Sequence, residues 1–143
     1  MMAETTVEIL NKIESASSWE ELGDILEGLE KVTFGDRLSE LCVKYQIKPS
    51  QLQVNVPIAK SMFYDVINGK KNPGKETVIK IGMTLKINLE EMNEMLKLAG
   101  HKELYPKKKE DAIIIFGIKN DKNLDEIEAL LKECGSTIRL TDD

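Results

Sequence analysis

The chain has 143 residues, 41% of them hydrophobic, with two cysteines, one histidine and a net charge of −5. That is enough apolar material for a core without disulfides, and Cys42 and Cys134 stand far apart, with no Cys-x-x-Cys or Cys/His cluster of the kind that holds zinc. No run approaches the ~18 apolar residues of a membrane span, and the start, MMAETTVEIL, has no basic region leading into a long apolar stretch, so the expectation is a cytoplasmic protein with no membrane partner, no metal and no cofactor.

Residues 1–32 read as an acidic helical pair. Thr5 and Glu8 have capping-box spacing around the apolar series Val7, Leu10, Ile13, so a short helix should run to the break at Ser15-Ala16-Ser17-Ser18. Ser18 with Glu21 opens a second helix, in which Trp19, Leu22, Ile25, Leu26 and Leu29 make a broad apolar stripe and Glu20, Glu27 and Glu30 lie off it. Two cations against eight anions give this segment a charge of −6. Such a pair is expected to dock on a basic domain, to pair two protomers, or to engage a protein partner.

The middle of the chain has the opposite sign. Residues 33–108 hold thirteen cations and eight anions (+5), whereas residues 109–143 hold five and nine (−4). Phe34, Leu38, Leu41, Cys42 and Tyr45 step at i, i+4, i+7, i+8 and i+11, the inward face of a helix, which makes Cys42 a core thiol. Pro49 suits the first turn of the short helix that follows. At about 100° per residue, segment 58–68 then places Ile58, Ala59, Met62, Phe63, Val66 and Ile67 on one half of a helix and Lys60, Ser61, Tyr64, Asp65 and Asn68 on the other. The second half offers a cation, a hydroxyl, a phenol and an amide, groups suited to phosphate oxygens and to base edges in a major groove. Gly69 suits the position after a helix end, and Pro73 prevents continuation. Seven lysines against Asp65 and Glu76 within residues 44–80 form the footprint expected of phosphate binding.

Residues 47–73 therefore read as a helix-turn-helix. The segment resembles the phage Cro and repressor proteins and the bacterial regulators of the xenobiotic-response-element type, on Ile47, Leu52, Val56, Ile58, Phe63 and Val66 and on the closing string Gly69-Lys70-Lys71-Asn72-Pro73. The resemblance extends over residues 34–100, about half the chain. It implies an all-α, lambda-repressor-like domain over residues 33–104 that binds double-stranded DNA, with Lys60, Ser61, Tyr64 and Asn68 at the bases and Ser50, Gln51, Lys70, Lys71, Asn72 and Lys75 at phosphates. A single module buries little surface, so tight binding calls for a homodimer on two half-sites. Four positions depart from the family pattern: Pro49 stands where a Gln is common, Gln53 replaces a small Ala, Pro57 replaces the turn Gly, and Asp65 puts a carboxylate on the presumed DNA face.

After the motif, Val78, Ile81, Gly82 and Leu85 define one helix, and Asn88 caps another that carries Leu89, Met92, Leu96 and Ala99 to Gly100. This unit recurs at an offset of 35, from Asn123 through Leu124, Ile127 and Leu131 to Gly135, with an Asn cap, an acidic first turn and a terminal Gly in both copies. Residues 105–143 therefore form a C-terminal helical hairpin, expected to stack on the first through Ala112, Ile113, Ile115, Phe116 and Ile118. The apolar run 112–118 has no partner strand and reads as helix.

Nothing here points to an enzyme. Gly69 to Glu76 imitates a phosphate-binding loop, yet Glu76 takes the place of the magnesium-binding hydroxyl and no strand precedes it. His101 stands alone after Gly100, as in a surface loop, and no nucleophile motif surrounds it. The expected function is a sequence-specific DNA-binding transcriptional regulator reading the major groove with helix 58–68. The alternative is a helical interaction or adaptor module that keeps the helix-turn-helix fold without DNA binding, motivated by the four departures and the acidic flanks.

Overall fold

The computed structural model describes residues 6–28 and 32–141, and every regular element in them is a helix. In chain order these are α1 (Thr6–Ser15), α2 (Trp19–Gly28), α3 (Phe34–Lys44), α4 (Pro49–Asn55), α5 (Lys60–Ile67), α6 (Lys75–Leu85), α7 (Leu89–Leu98), α8 (Lys109–Lys119) and α9 (Leu124–Glu133). Among the described residues no helix is long and apolar enough to cross a membrane. The chain divides into two compact units, residues 1–31 and 32–143.

In the first unit α1 and α2 pack on each other. Ser18 Oγ accepts the Glu21 amide at 3.1 Å, as the spacing requires, but the Glu21 carboxylate reaches back to the Ser17 amide at 2.8 Å, one residue before the cap. Ile9, Leu22 and Ile25 are half-buried. Val7, Leu10, Ile13, Trp19 and Leu26 are exposed, Trp19 to 83%. Thr5, Leu29, Glu30 and the side chain of Glu27 lie outside the described residues.

The second unit starts at a capping box beyond those expected from the sequence: Thr33 Oγ1 accepts the Asp36 amide at 3.1 Å, and the Asp36 carboxylate accepts the Thr33 amide at 3.3 Å. From there α3 lays Phe34, Leu38, Leu41 and Cys42 into a core shared with Leu52 of α4, Phe63 and Val66 of α5, Ile79 and Ile81 of α6, and Met92 and Leu96 of α7. Helix α3 packs on α5 and α7, α4 on α5 and α6, and α6 on α7. Glu91 ties the outer edge. Its buried carboxylate accepts from Lys44 Nζ at 2.5 Å, from the Tyr45 hydroxyl and from the Asn88 amide at 3.0 Å, joining α3 to the cap of α7. Burial alone would raise the Glu91 pKa, but these donors outweigh it and hold the carboxyl below its ordinary value.

Residues 105–143, set apart by sequence, belong to this same compact unit. Leu104, Ile114, Ile127, Leu131 and Leu140 are buried in the one core, with α8 against α7 and α9 against α6. The stacking face differs from the expected one. Asp111, Ile114 and Gly117 are the buried residues of α8, Ala112, Ile113, Ile115 and Ile118 are half-buried, and Phe116 is 48% exposed. The reason is Gly117: with no side chain it lets Ile127 of α9 approach, and this contact selects the face that goes inward.

The 35-residue repeat is carried into three dimensions. Asn88 and Asn123 both close capping boxes, with Glu91 and Glu126. Gly100 and Gly135 have φ of 83° and 81°. Lys86 and Asp121, also 35 apart, are left-handed at 63° and 52°, and Gly82 faces Met92 as Gly117 faces Ile127.

Candidate nucleic-acid interface

Two short helices and the turn between them carry most of the expected contact residues. Pro49 occupies the first turn of α4, where a missing amide costs nothing, and Leu52 is buried beneath it. The backbone is extended at Val56 and again at Ala59, and the next helix starts at Lys60, two residues later than its apolar spacing suggests. Pro57 and Ile58 therefore belong to the turn. Ala59, expected on the inward half, is exposed as the cap of α5.

Helix α5 is held from below by Phe63 and Val66. Its outward arc carries exposed Lys60, Ser61 and Asn68, the first two at its start and the last at its end. Tyr64 is different: it is half-buried and packed on the core, its ring edge-on to Phe63 with centroids 5.5 Å apart. Asp65 is also half-buried, and its carboxylate lies 3.6 Å from the Lys71 ammonium, which offsets its charge on this face.

The stop after α5 has the expected chemistry. Gly69 has φ of 78°, and the Lys70 amide bonds back to the Asp65 carbonyl at 2.7 Å. The loop that follows is anchored at two points. Asn72 Nδ2 donates to the Ala99 carbonyl at 2.7 Å, and His101 Nε2 lies 2.8 Å from the Pro73 carbonyl, so this nitrogen carries the proton. His101 is half-buried and clamps the loop to the end of α7, a task unlike that of a surface histidine.

Several groups expected at phosphates have internal partners. Lys75 Nζ is 2.7 Å from Asp111 Oδ1 of α8, and the Gln51 side-chain carbonyl accepts the Lys48 amide at 3.0 Å. Asn72 is committed to Ala99, as above. Ser50, Lys70 and Lys71 remain on the surface. Of the seven lysines in residues 44–80, Lys44 pairs with Glu91, Lys75 pairs with Asp111, and Lys80 is buried with its ammonium 3.4 Å from the Pro57 carbonyl. The surface charge is thus thinner than the sequence count. It rests on Lys48, Lys60 and Lys70, with the exposed Lys71 shared with Asp65. Lys48 is an addition to the expected set, exposed at the cap of α4, and its position just before a proline-initiated helix is the signal that could have singled it out.

No protein-family model, curated protein or solved structure matches the chain.

Proposed function

We propose that this chain is a sequence-specific double-stranded DNA-binding transcriptional regulator, in which α4, the turn 56–59 and α5 work as a helix-turn-helix of lambda-repressor-like arrangement. One observation carries the reading: α5 is buried along Phe63 and Val66 while Lys60, Ser61 and Asn68 stand exposed on its other side, with Lys70 and Lys71 directly after it. An eight-residue helix is about 12 Å long, short enough to lie across a major groove. Lys60, Ser61 and Asn68 would reach base edges with Tyr64 at the margin, while Ser50, Lys48, Lys70 and Lys71 would hold phosphates. Asn72 and Lys75 act here as anchors of the loop. Such a regulator works in the cytoplasm, and it calls for no metal, cofactor or catalytic residue.

The test is fluorescence anisotropy of the full chain against a randomised duplex pool at about 50 and 200 mM salt. Enrichment of one sequence with a steep loss of affinity at the higher salt supports the reading. Absence of binding at both salts overturns it. The internal commitment of Lys44, Lys75 and Lys80, with Asp65 on the outward arc, then favours the second reading, an interaction module that keeps the fold without DNA.

A further inference from the structure

We infer that Lys102, Lys107, Lys108 and Lys109 extend the basic surface beyond the helix-turn-helix and hold backbone phosphates of the same duplex, outside the bases that α5 reads. The inference rests on the DNA-binding reading and deepens it. Its basis is the way two stretches far apart in sequence are joined within the unit of residues 32–143. The loop after α5 and the start of α6 are bonded to the end of α7 and the start of α8 at three points: Asn72 Nδ2 to the Ala99 carbonyl at 2.7 Å, His101 Nε2 to the Pro73 carbonyl at 2.8 Å, and Lys75 Nζ to Asp111 Oδ1 at 2.7 Å. The other Asp111 oxygen accepts the Tyr105 amide at 2.9 Å. Segment 101–111 therefore lies against segment 70–75, and its lysines continue the charge of Lys70 and Lys71.

The carboxylates around these segments are nearly all committed, whereas the lysines are not. Asp65 is beside Lys71, Glu103 is 2.8 Å from Lys97, Glu110 accepts from Ser136 Oγ, and Asp111 is buried against Lys75. Glu76 is the one that remains, and it is exposed. Lys70, Lys102, Lys107, Lys108 and Lys109 are all exposed, and among the described residues no carboxylate pairs with any of them. Five like charges on adjoining segments repel one another, and a row of anions relieves that repulsion. A duplex supplies such a row, with one negative charge for about every 1.7 Å of its axis. It is also the ligand already proposed for Lys70 and Lys71, with which the added lysines are continuous. Ammonium groups on phosphates position the duplex and carry no sequence information, so the added contacts are indifferent to the bases beneath them.

The experiment is anisotropy titration of the full chain at several salt concentrations, on the duplex enriched from the randomised pool, with and without random-sequence flanks. The parent should gain affinity from the flanks. Lys107→Ala with Lys108→Ala and Lys109→Ala should lose that gain and reduce the salt slope by about two to three, while enriching the same sequence from the pool. Lys107→Arg with Lys108→Arg and Lys109→Arg should keep both the gain and the slope. An alanine variant whose slope and flank response equal the parent's overturns the inference and leaves the DNA reading standing. Loss of the flank response in the arginine variant also overturns it, because charge would then not be what the duplex meets. A parent that binds no duplex overturns the DNA reading and this inference together.

Discussion

Gly35 of α3 lies directly against the backbone of α5: a Cβ at this position would overlap the Ile67 carbonyl oxygen and stand 2.8 Å from the Ile67 carbonyl carbon. The obstacle is backbone, which cannot rotate away. The close approach sets the depth at which α5 sits on the core, and so the height of its outward side chains.

Gly35→Ala should therefore displace α5 and destabilise the fold by about 1–3 kcal/mol, the usual cost of overpacking. Helix propensity would otherwise favour Ala over Gly by about 1 kcal/mol, so the sign itself is informative. Urea unfolding of the two proteins decides the matter, and a stabilised variant would mean that α3 and α5 are not in contact through Gly35.

Lys60, Lys70 and Lys71 are separable from the scaffold. All three are exposed, so their replacement by Ala should leave stability within about 0.5 kcal/mol. On the proposed DNA-binding function, binding should respond in two ways. Lys60→Ala should relax base preference, while Lys70→Ala with Lys71→Ala should weaken binding to every sequence and reduce the salt slope by nearly two. The slope is read from anisotropy titrations at several salt concentrations.

Lys75 should behave in the opposite manner. Its ammonium is 2.7 Å from Asp111, a carboxylate only 3% exposed that also accepts the Tyr105 amide at 2.9 Å. Removing the cation strands that carboxylate. Because Lys75 is itself one-third exposed, the loss should be below the 3–5 kcal/mol of a fully buried pair, about 2 kcal/mol. Lys75→Ala should lower the unfolding midpoint, whereas Lys70→Ala should not, and equal midpoints would return Lys75 to the phosphate-contact set.

The contrast shows which features were legible. The caps at Asn88 and Asn123 and the terminal Gly100 and Gly135 were, because they are local chemistry, written within a few residues of one another, although the equally local Thr33–Asp36 box was not among the expected caps. The inward faces of α3 and α5 were legible too, since Leu38, Leu41, Phe63 and Val66 obey the helical period. What stayed hidden depends on distant partners. Nothing in the spacing joins Lys75 to Asp111, or Asn72 to Ala99, yet these contacts decide which polar groups remain for a ligand. Helix α8 hid its orientation for another reason. Residues 112–118 are apolar apart from one glycine, so no polar face distinguishes inside from outside, and Phe116, expected inward, faces out.

Residues 136–141 form a strap held to α9 through Glu128, and this strap should release in acid. The Glu128 carboxylate of α9 accepts Thr141 Oγ1 at 2.7 Å, the Leu140 amide at 2.7 Å and the Thr141 amide at 3.3 Å. The Thr141 hydroxyl first, and then the Leu140 amide, lower its pKa from an ordinary 4.5 to about 2. A depressed carboxyl contributes stability that is complete above its unfolded pKa and lost as pH falls through the folded one. The difference in stability between the parent and Glu128→Gln should accordingly be constant above about pH 5 and shrink toward pH 2. Denaturant unfolding across that range measures it, and a pH-independent difference would show that the charge on Glu128 does not hold the strap.

Two glycines at repeat-equivalent positions should respond unequally to the same substitution. A Cβ on Gly82 would lie 2.5 Å from Met92 Cε and 2.8 Å from its Sδ, with Ile87 Cδ1 at 2.9 Å, all ends of side chains. Met is unbranched and adapts. The gain in helix propensity, about 1 kcal/mol, should offset much of the crowding, leaving Gly82→Ala within about 1 kcal/mol of the parent. At Gly117 the obstacle is Ile127, with Cδ1 overlapping the new Cβ and Cγ1 2.6 Å away. A β-branched side chain in a helix is confined at χ1, and Ile127 is fully buried, so it has nowhere to turn. Gly117→Ala should cost about 2–3 kcal/mol, and the added Ile127→Val should recover part of that loss by removing the clashing Cδ1. If the double variant is less stable than Gly117→Ala alone, the two residues do not meet and α8 presents a different face to α9.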